Sequence, residues 1–318
     1  MKKRYYSLDS FEEFLQTTAI DLEILLPELF TEELRDFYVN PRYLRGSDFL
    51  MRWSQGRWAE DIVVRAINAT NEFQAIPYGP SSVAPSDPQE MERYFERLDR
   101  AGVVGKRPDV LILARPEYGT IRRQLHEVGL ENIPFTPEES LGFLLSKALI
   151  AVEVESSLWI ASQMPDYGKG KPLVKSGHPE LIGFSKSQKV PTVIIKDEDL
   201  EPLSLWESEA KVPIFVFHLF HDQAYYISLQ RARWLFAEGV ISSTRQTFYA
   251  PGGPTTHELI YKISYTLARP LGTMTRAAEM TAKFVKDKNG HILPYVHFSG
   301  GEMGLSREIL EERRGRLR

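Results

Sequence analysis

The sequence predicts an α/β fold: a central mixed β-sheet flanked by helices, preceded by an N-terminal helical arm and followed by C-terminal β-hairpins. Three observations carry this. The run Val110–Leu113 is apolar, and Ala148–Val152 is apolar and β-branched until Glu153 and Glu155 interrupt it, as suits strands covered on both faces. Two more such runs, Pro191–Lys196 and Val212–Leu219, alternate with amphipathic helical segments. After Thr244 paired segments of period two flank turns rich in Gly and Pro.

Taken in order, residues 7–50 read as helical. Ser10 caps a helix whose Phe11, Phe14 and Leu15 mark its apolar stripe, with Glu13 at the capping-box position. Leu22, Leu25, Leu26 and Leu29 continue the spacing across Pro27. A second helix runs from Gln55 to Asn68, with Trp58, Ala59, Ile62, Val63, Ala66 and Ile67 on one face. Residues 74–88 are a strand end and a Pro/Gly/Ser-rich loop, and a helix over 88–100 leads to the Asp109 strand. Thr136–Lys147 reads as a helix with Thr136 as N-cap and Pro137 at its first position. A short helix over Ser156–Met164 follows the second strand, then a flexible basic loop from Asp166 to Lys189. Ser228–Gly239 has a Ser cap, an apolar stripe and a Gly stop. Hairpins are expected around Pro251–Pro254 and Asp287–Gly290. The expected divisions are an arm over 1–54, a core over 55–243 and a hairpin-rich region over 244–318.

Composition narrows the classes. The 318 residues, 42% hydrophobic and 26% charged, suffice for a sizeable core. With no cysteine, disulfides, thiolate zinc sites and cysteine nucleophiles are excluded. No run is apolar and long enough to span a bilayer and no leader pattern is seen, so a cytoplasmic location is expected. The net charge of −4 argues against an unselective nucleic-acid coat and leaves room for a basic cleft.

The chemistry concentrates between Lys106 and Trp159. Glu153 and Glu155 stand two apart, so on a strand they point to one face. Paired carboxylates in a core require compensation, which a divalent cation such as Mg²⁺ supplies. Asp109, at the mouth of the neighbouring strand, can be the third ligand. His218 and His221 face opposite sides of a strand and have no partners with zinc spacing, so they read as packed residues.

The Pro108-Asp109 strand followed by Glu153-x-Glu155 resembles the PD-(D/E)XK nuclease core, the restriction-endonuclease-like fold. Pro191–Leu200, Val212–Phe217 and Tyr249–Thr256 look like the AccI-type restriction endonucleases, with the resemblance spanning Gln55 to Gly301. It implies a Mg²⁺-dependent, sequence-specific endonuclease for double-stranded DNA, with Asp109 and Glu153 on the metal. Glu155 stands where the superfamily usually has lysine, although an acid-x-acid version occurs in one group. Lys196, at the end of the next strand, is a candidate for the missing ammonium. Glu60 matches the helix glutamate that reaches such sites; a surface carboxylate is the competing reading.

Candidate DNA contacts lie in two places. Lys169, Lys171, Lys175 and Lys186 punctuate the basic loop, which is either a solvated surface or an arm for phosphates. Arg245, Gln246 and Lys262 belong to the first C-terminal hairpin, which is either a base-reading ribbon or an edge of the core sheet. A palindromic or near-palindromic site cut by one active site per chain implies a homodimer. The alternatives are an inactive DNA-binding or structural protein of the same fold, and a two-carboxylate glycosidase, whose acids would flank a sugar groove.

Overall fold

The apolar runs become strands because both of their faces are covered. The structure is a computed structural model describing residues 47–80, 96–97, 105–157, 159–248, 256–286 and 292–316. The expected helices before residue 47, most of the one over 88–100 and the tips of both hairpins lie outside the described residues.

Helix α1 (Ser47–Asn68) leads into β1 (Phe73–Pro77), and β2 (Val110–Ala114) into α2 (Arg115–Val128). Strand β3 (Ala148–Ser156) is followed by the short β4 (Lys171–Leu173) and β5 (His178–Gly183). Then come β6 (Thr192–Lys196), α3 (Asp197–Ala210), β7 (Ile214–Leu219), β8 (Gln223–Ser228) and α4 (Leu229–Ala237). The chain ends with β9 (Thr244–Phe248), β10 (Thr256–Ser264), β11 (Arg269–Lys286), β12 (Ile292–Leu305) and α5 (Glu308–Arg316).

Seven strands form one mixed sheet in the order β1-β2-β3-β7-β8-β11-β12. Strands β3 and β7 run parallel and the other neighbours antiparallel. Alternate side chains of one strand enter different cores. Val110, Ile112 and Val152 pack with Trp58, Ile62 and Ile67 of α1. Leu111, Leu113 and Ala151 pack with Ile121 and Leu125 of α2 and with Leu203 and Trp206 of α3. The expected mixed sheet flanked by helices is what the structure contains. Burial of so many side chains, each contributing roughly 1.5–3 kcal/mol, dominates the stability of the scaffold that carries the acids.

Several local expectations change. Thr136–Lys147 is not one helix. It is broken into a 3-10 turn at Glu138–Leu141 and a single α-turn at Gly142–Leu145. The Thr136 hydroxyl is directed backwards to the Asn132 carbonyl (2.8 Å), so it does not cap. The helix expected from Ser156 gives way to the end of β3, because Ser156 is opposite Leu219 and the Ser157 N–H donates to the Leu219 carbonyl (2.8 Å). Among the described residues of this stretch only Ala161–Gln163 turns helically, as a 3-10 segment.

The basic loop holds a small antiparallel hairpin, β4–β5, with Lys171 opposite Gly183. Its base is tied by the Lys189 N–H donating to Asp166 Oδ2 (2.8 Å). Strand β6 leaves the main sheet and forms a second one, β6-β10-β9. An apolar strand satisfies its backbone against any neighbour, so its composition did not specify the partner. Helix α4 is as expected: Ser228 Oγ accepts from the Arg231 N–H (3.1 Å), and Gly239 takes a left-handed φ of 68°. Beyond Thr244, β11 and β12 continue the main sheet, and α1 packs against this ribbon. Arg65 donates to the Gly300 and Gly301 carbonyls (2.8 and 2.9 Å).

Candidate active site

The site is built where β2 begins. The Asp109 carbonyl accepts from the Tyr78 and Gly79 N–H groups (2.8 and 3.0 Å). Gly79 is needed for this approach, since a Cβ there would lie 2.9 Å from the Pro108 carbonyl oxygen and 3.1 Å from Asp109 Cα. On the other side of the Pro-Asp pair Arg107 is buried. It donates to the Thr136 carbonyl (2.8 Å) and pairs with Glu138 (3.2 Å). Its guanidinium is therefore structural, and it fixes the segment that presents Asp109.

Asp109 Oδ2 accepts the Val154 N–H (2.8 Å), which clamps its side chain to β3 between the two glutamates. Those glutamates share one face of β3, as the two-residue period requires. Helix α1 brings in Glu60, and Gln55 Nε2 donates to Ser156 Oγ (3.1 Å), tying the helix to the end of β3. Glu60, Asp109 and Glu153 are 6%, 6% and 7% exposed, so the surface reading of Glu60 is set aside.

Burial of like charges sets the electrostatics. Burial, then the neighbouring Asp109, pushes Glu153 well above the ordinary carboxylate range, against the pull of Lys106. Burial and Asp109 raise Glu60 in the same way, with Arg57 opposing. Glu155 is pushed up to about 7, chiefly by burial; the nearby Lys196 works against the shift and Asp109 with it.

One residue of this group was missed in the sequence. Lys106 Nζ lies 2.6 Å from Glu153 Oε1 and 3.4 Å from Asp199 Oδ1, in the first turn of α3. Burial disfavours its charge, but Glu153, Asp199 and Asp109 outweigh this and hold the ammonium protonated. No spacing rule points to a lysine three residues before the aspartate; only the fold brings it to Glu153. Lys196, the expected ammonium, stands beside Glu155, with its Nζ 3.9 Å from Glu198 Oε1.

The donor chemistry fits a hard divalent cation. Glu60 Oε2 and Glu153 Oε2 are buried with no hydrogen-bond partner among the described residues, a costly state for carboxylate oxygens unless a cation meets them. Among the described residues no three acidic or histidine side chains are grouped closely enough to hold an ion as they stand. Among the described residues no histidine joins a group that could hold a metal. His218 is buried, its Nδ1 accepts the Ile194 N–H (3.4 Å), and burial lowers its pKa to about 3.

The candidate DNA residues divide. Lys171, Lys175 and Lys186 are exposed, and Lys169 donates to the Pro165 carbonyl (2.7 Å). Lys186, Thr244, Lys262 and Ser264 line one groove. The two expected regions therefore meet. In the β6-β10-β9 sheet, Lys262 is opposite Ile194 and Ile260 is opposite both Lys196 and Thr244. Lys262, Lys196, Thr244 and Gln246 consequently share one face, and Arg245 points to the other.

The AccI restriction endonuclease family model matches residues 26–169. That range takes in Glu60, Lys106, Asp109, Glu153 and Glu155, but not the later segments that also suggested this family. Neither the curated proteins nor the solved structures contain a match. The match implies a site-specific deoxyribonuclease acting on DNA. More narrowly, it supports an AccI-like type II restriction endonuclease. Among the described residues no helix is long and apolar enough to cross a membrane.

Proposed function

We propose that this chain is a Mg²⁺-dependent endonuclease that cuts double-stranded DNA at a specific palindromic or near-palindromic site. The observation that carries the proposal is the buried carboxylate group of Glu60, Asp109 and Glu153, with two partnerless oxygens, inside the region of family similarity. Asp109 and Glu153 would hold the metal and Glu155 would support it or orient the attacking water, with Glu60 facing them from α1. Bound there, Mg²⁺ would lower the pKa of water and offset the charge developing on the phosphate. Lys196 beside Glu155 would add positive charge at the same mouth. A two-fold dimer would present one such site to each strand.

The test is incubation of plasmid DNA with the purified protein, with Mg²⁺, with EDTA, and with Mg²⁺ restored. Discrete fragments are expected in the first and third reactions only. Cleavage that survives EDTA would remove the metal from this reading.

Base reading would fall on the face shared by Gln246 and Lys262, with Lys186 in the same groove and Lys169, Lys171 and Lys175 holding phosphates. Gln246→Ala and Lys262→Ala should lower cleavage of the cognate site more than binding to unrelated DNA. A lost bidentate contact is worth ~1–3 kcal/mol of discrimination. Arg245→Ala, on the other face, should weaken all sequences alike. Equal losses on every sequence for all three variants would move recognition elsewhere.

A further inference from the structure

The ammonium of Lys106 occupies a position that a metal site would normally leave to the metal. It is 2.6 Å from Glu153 Oε1, and the lysine side chain is 32% exposed against 9% for that of Glu153. The lysine thus reaches in from solvent and caps the carboxylate beneath it. A second acid, Asp199, lies 3.4 Å from the same nitrogen and is itself 18% exposed. The two acids belong to different elements, β3 and the first turn of α3, so the ammonium bridges the wall of the site.

We propose that Lys106 is the built-in counter-ion of the metal site: its ammonium holds Glu153 in the metal-free protein and withdraws to Asp199 when a divalent cation takes that oxygen. This rests on the reading of Asp109 and Glu153 as metal-holding residues. A buried carboxylate with no cation is strongly destabilising, so a site that must persist empty needs a substitute charge. An ammonium and a divalent ion on one oxygen would repel each other, so one of them has to leave. Asp199 provides the lysine with a nearby alternative partner. Its flexible four-carbon stem makes that move a matter of side-chain torsions. Metal binding is then a competition, and the apparent affinity is reduced by the fraction of molecules whose lysine occupies the seat.

The test is calorimetric titration of Mg²⁺ into the full chain without DNA, at fixed alkaline pH, beside thermal unfolding of each variant. If the lysine holds Glu153 about nine-tenths of the time, Lys106→Met should bind Mg²⁺ about tenfold more tightly than the parent. Lys106→Arg retains the charge and can fork onto both acids, so it should bind Mg²⁺ less tightly than the parent. If the Met variant fails to fold, the Arg variant alone decides. An unchanged or weaker affinity in a folded Lys106→Met, or a parental affinity in Lys106→Arg, overturns the proposal. The underlying metal reading is checked separately with Glu153→Ala. If that variant binds Mg²⁺ as the parent does, the ion lies elsewhere and both ideas fall.

Discussion

Asp109→Asn and Glu153→Ala are each expected to reduce DNA cleavage by about a thousandfold or more while the protein stays folded. The expected size follows from the reaction. A metal ion supplies several kcal/mol of transition-state stabilisation, and ~4 kcal/mol is about a thousandfold in rate. Asparagine is the sharper choice at 109. Its carbonyl oxygen can still accept the Val154 N–H, whereas alanine would leave that donor unpaired at a cost of ~1–3 kcal/mol. Loss of activity in the asparagine variant therefore reports on the charge rather than on folding. At 153 alanine removes one of several repelling acids and leaves Lys106 with Asp199, so stability should change little. DNA binding by both variants should persist, because on the proposed reading phosphate and base contacts would lie outside this cluster. Full-rate cleavage by either variant, measured on a single-site plasmid, would overturn the assignment of that residue.

The second large effect is on stability. In the unfolded chain Glu60, Glu153 and Glu155 ionise near 4.5; in the folded chain all three are raised, Glu155 to about 7. Between those values the native state holds more protons than the unfolded state. Stability must therefore fall as pH rises from about 4.5 through about 7. The contribution of Glu155 alone is on the order of 3 kcal/mol at most. Urea unfolding of metal-free protein should show this decline, Glu155→Gln should flatten it, and saturating Mg²⁺ should restore stability on the alkaline side. A metal-free protein that gains stability from pH 5 to pH 8 would contradict the described electrostatics.

The parts of the fold that were legible in the sequence are those where one physical requirement dominates. Val110–Leu113 and Leu149–Val152 are buried on both faces, so every position is apolar and each strand stands out. The placing of Glu153 and Glu155 on one face follows from strand geometry alone. Ser228 and Gly239 marked α4 because a cap and a left-handed stop each need a particular residue type.

What escaped notice depends on tertiary partners. Helix α2 buries only Ile121 and Leu125, too few to stand out in a mostly polar segment. Helix α3 follows β6 without a break and contains Pro202. Strand β6 has the composition of a central strand yet pairs with β10 instead. Lys106 meets Glu153 and Asp199, both distant from it in the chain, and nothing local records that meeting. Glu60 was visible as a candidate only through family resemblance, since its position at the border of the apolar face of α1 fits a buried or an exposed carboxylate equally well.

The most direct measurement of the central claim is anomalous diffraction from crystals of the protein grown with Mn²⁺ in place of Mg²⁺. The account predicts an anomalous peak within bonding distance of the carboxylates of Asp109 and Glu153, with Lys106 Nζ displaced from Glu153 Oε1. It also predicts that the peak disappears in Glu153→Ala crystals grown the same way. A fully occupied Mn²⁺ peak away from these carboxylates, or none at saturating metal, would contradict it.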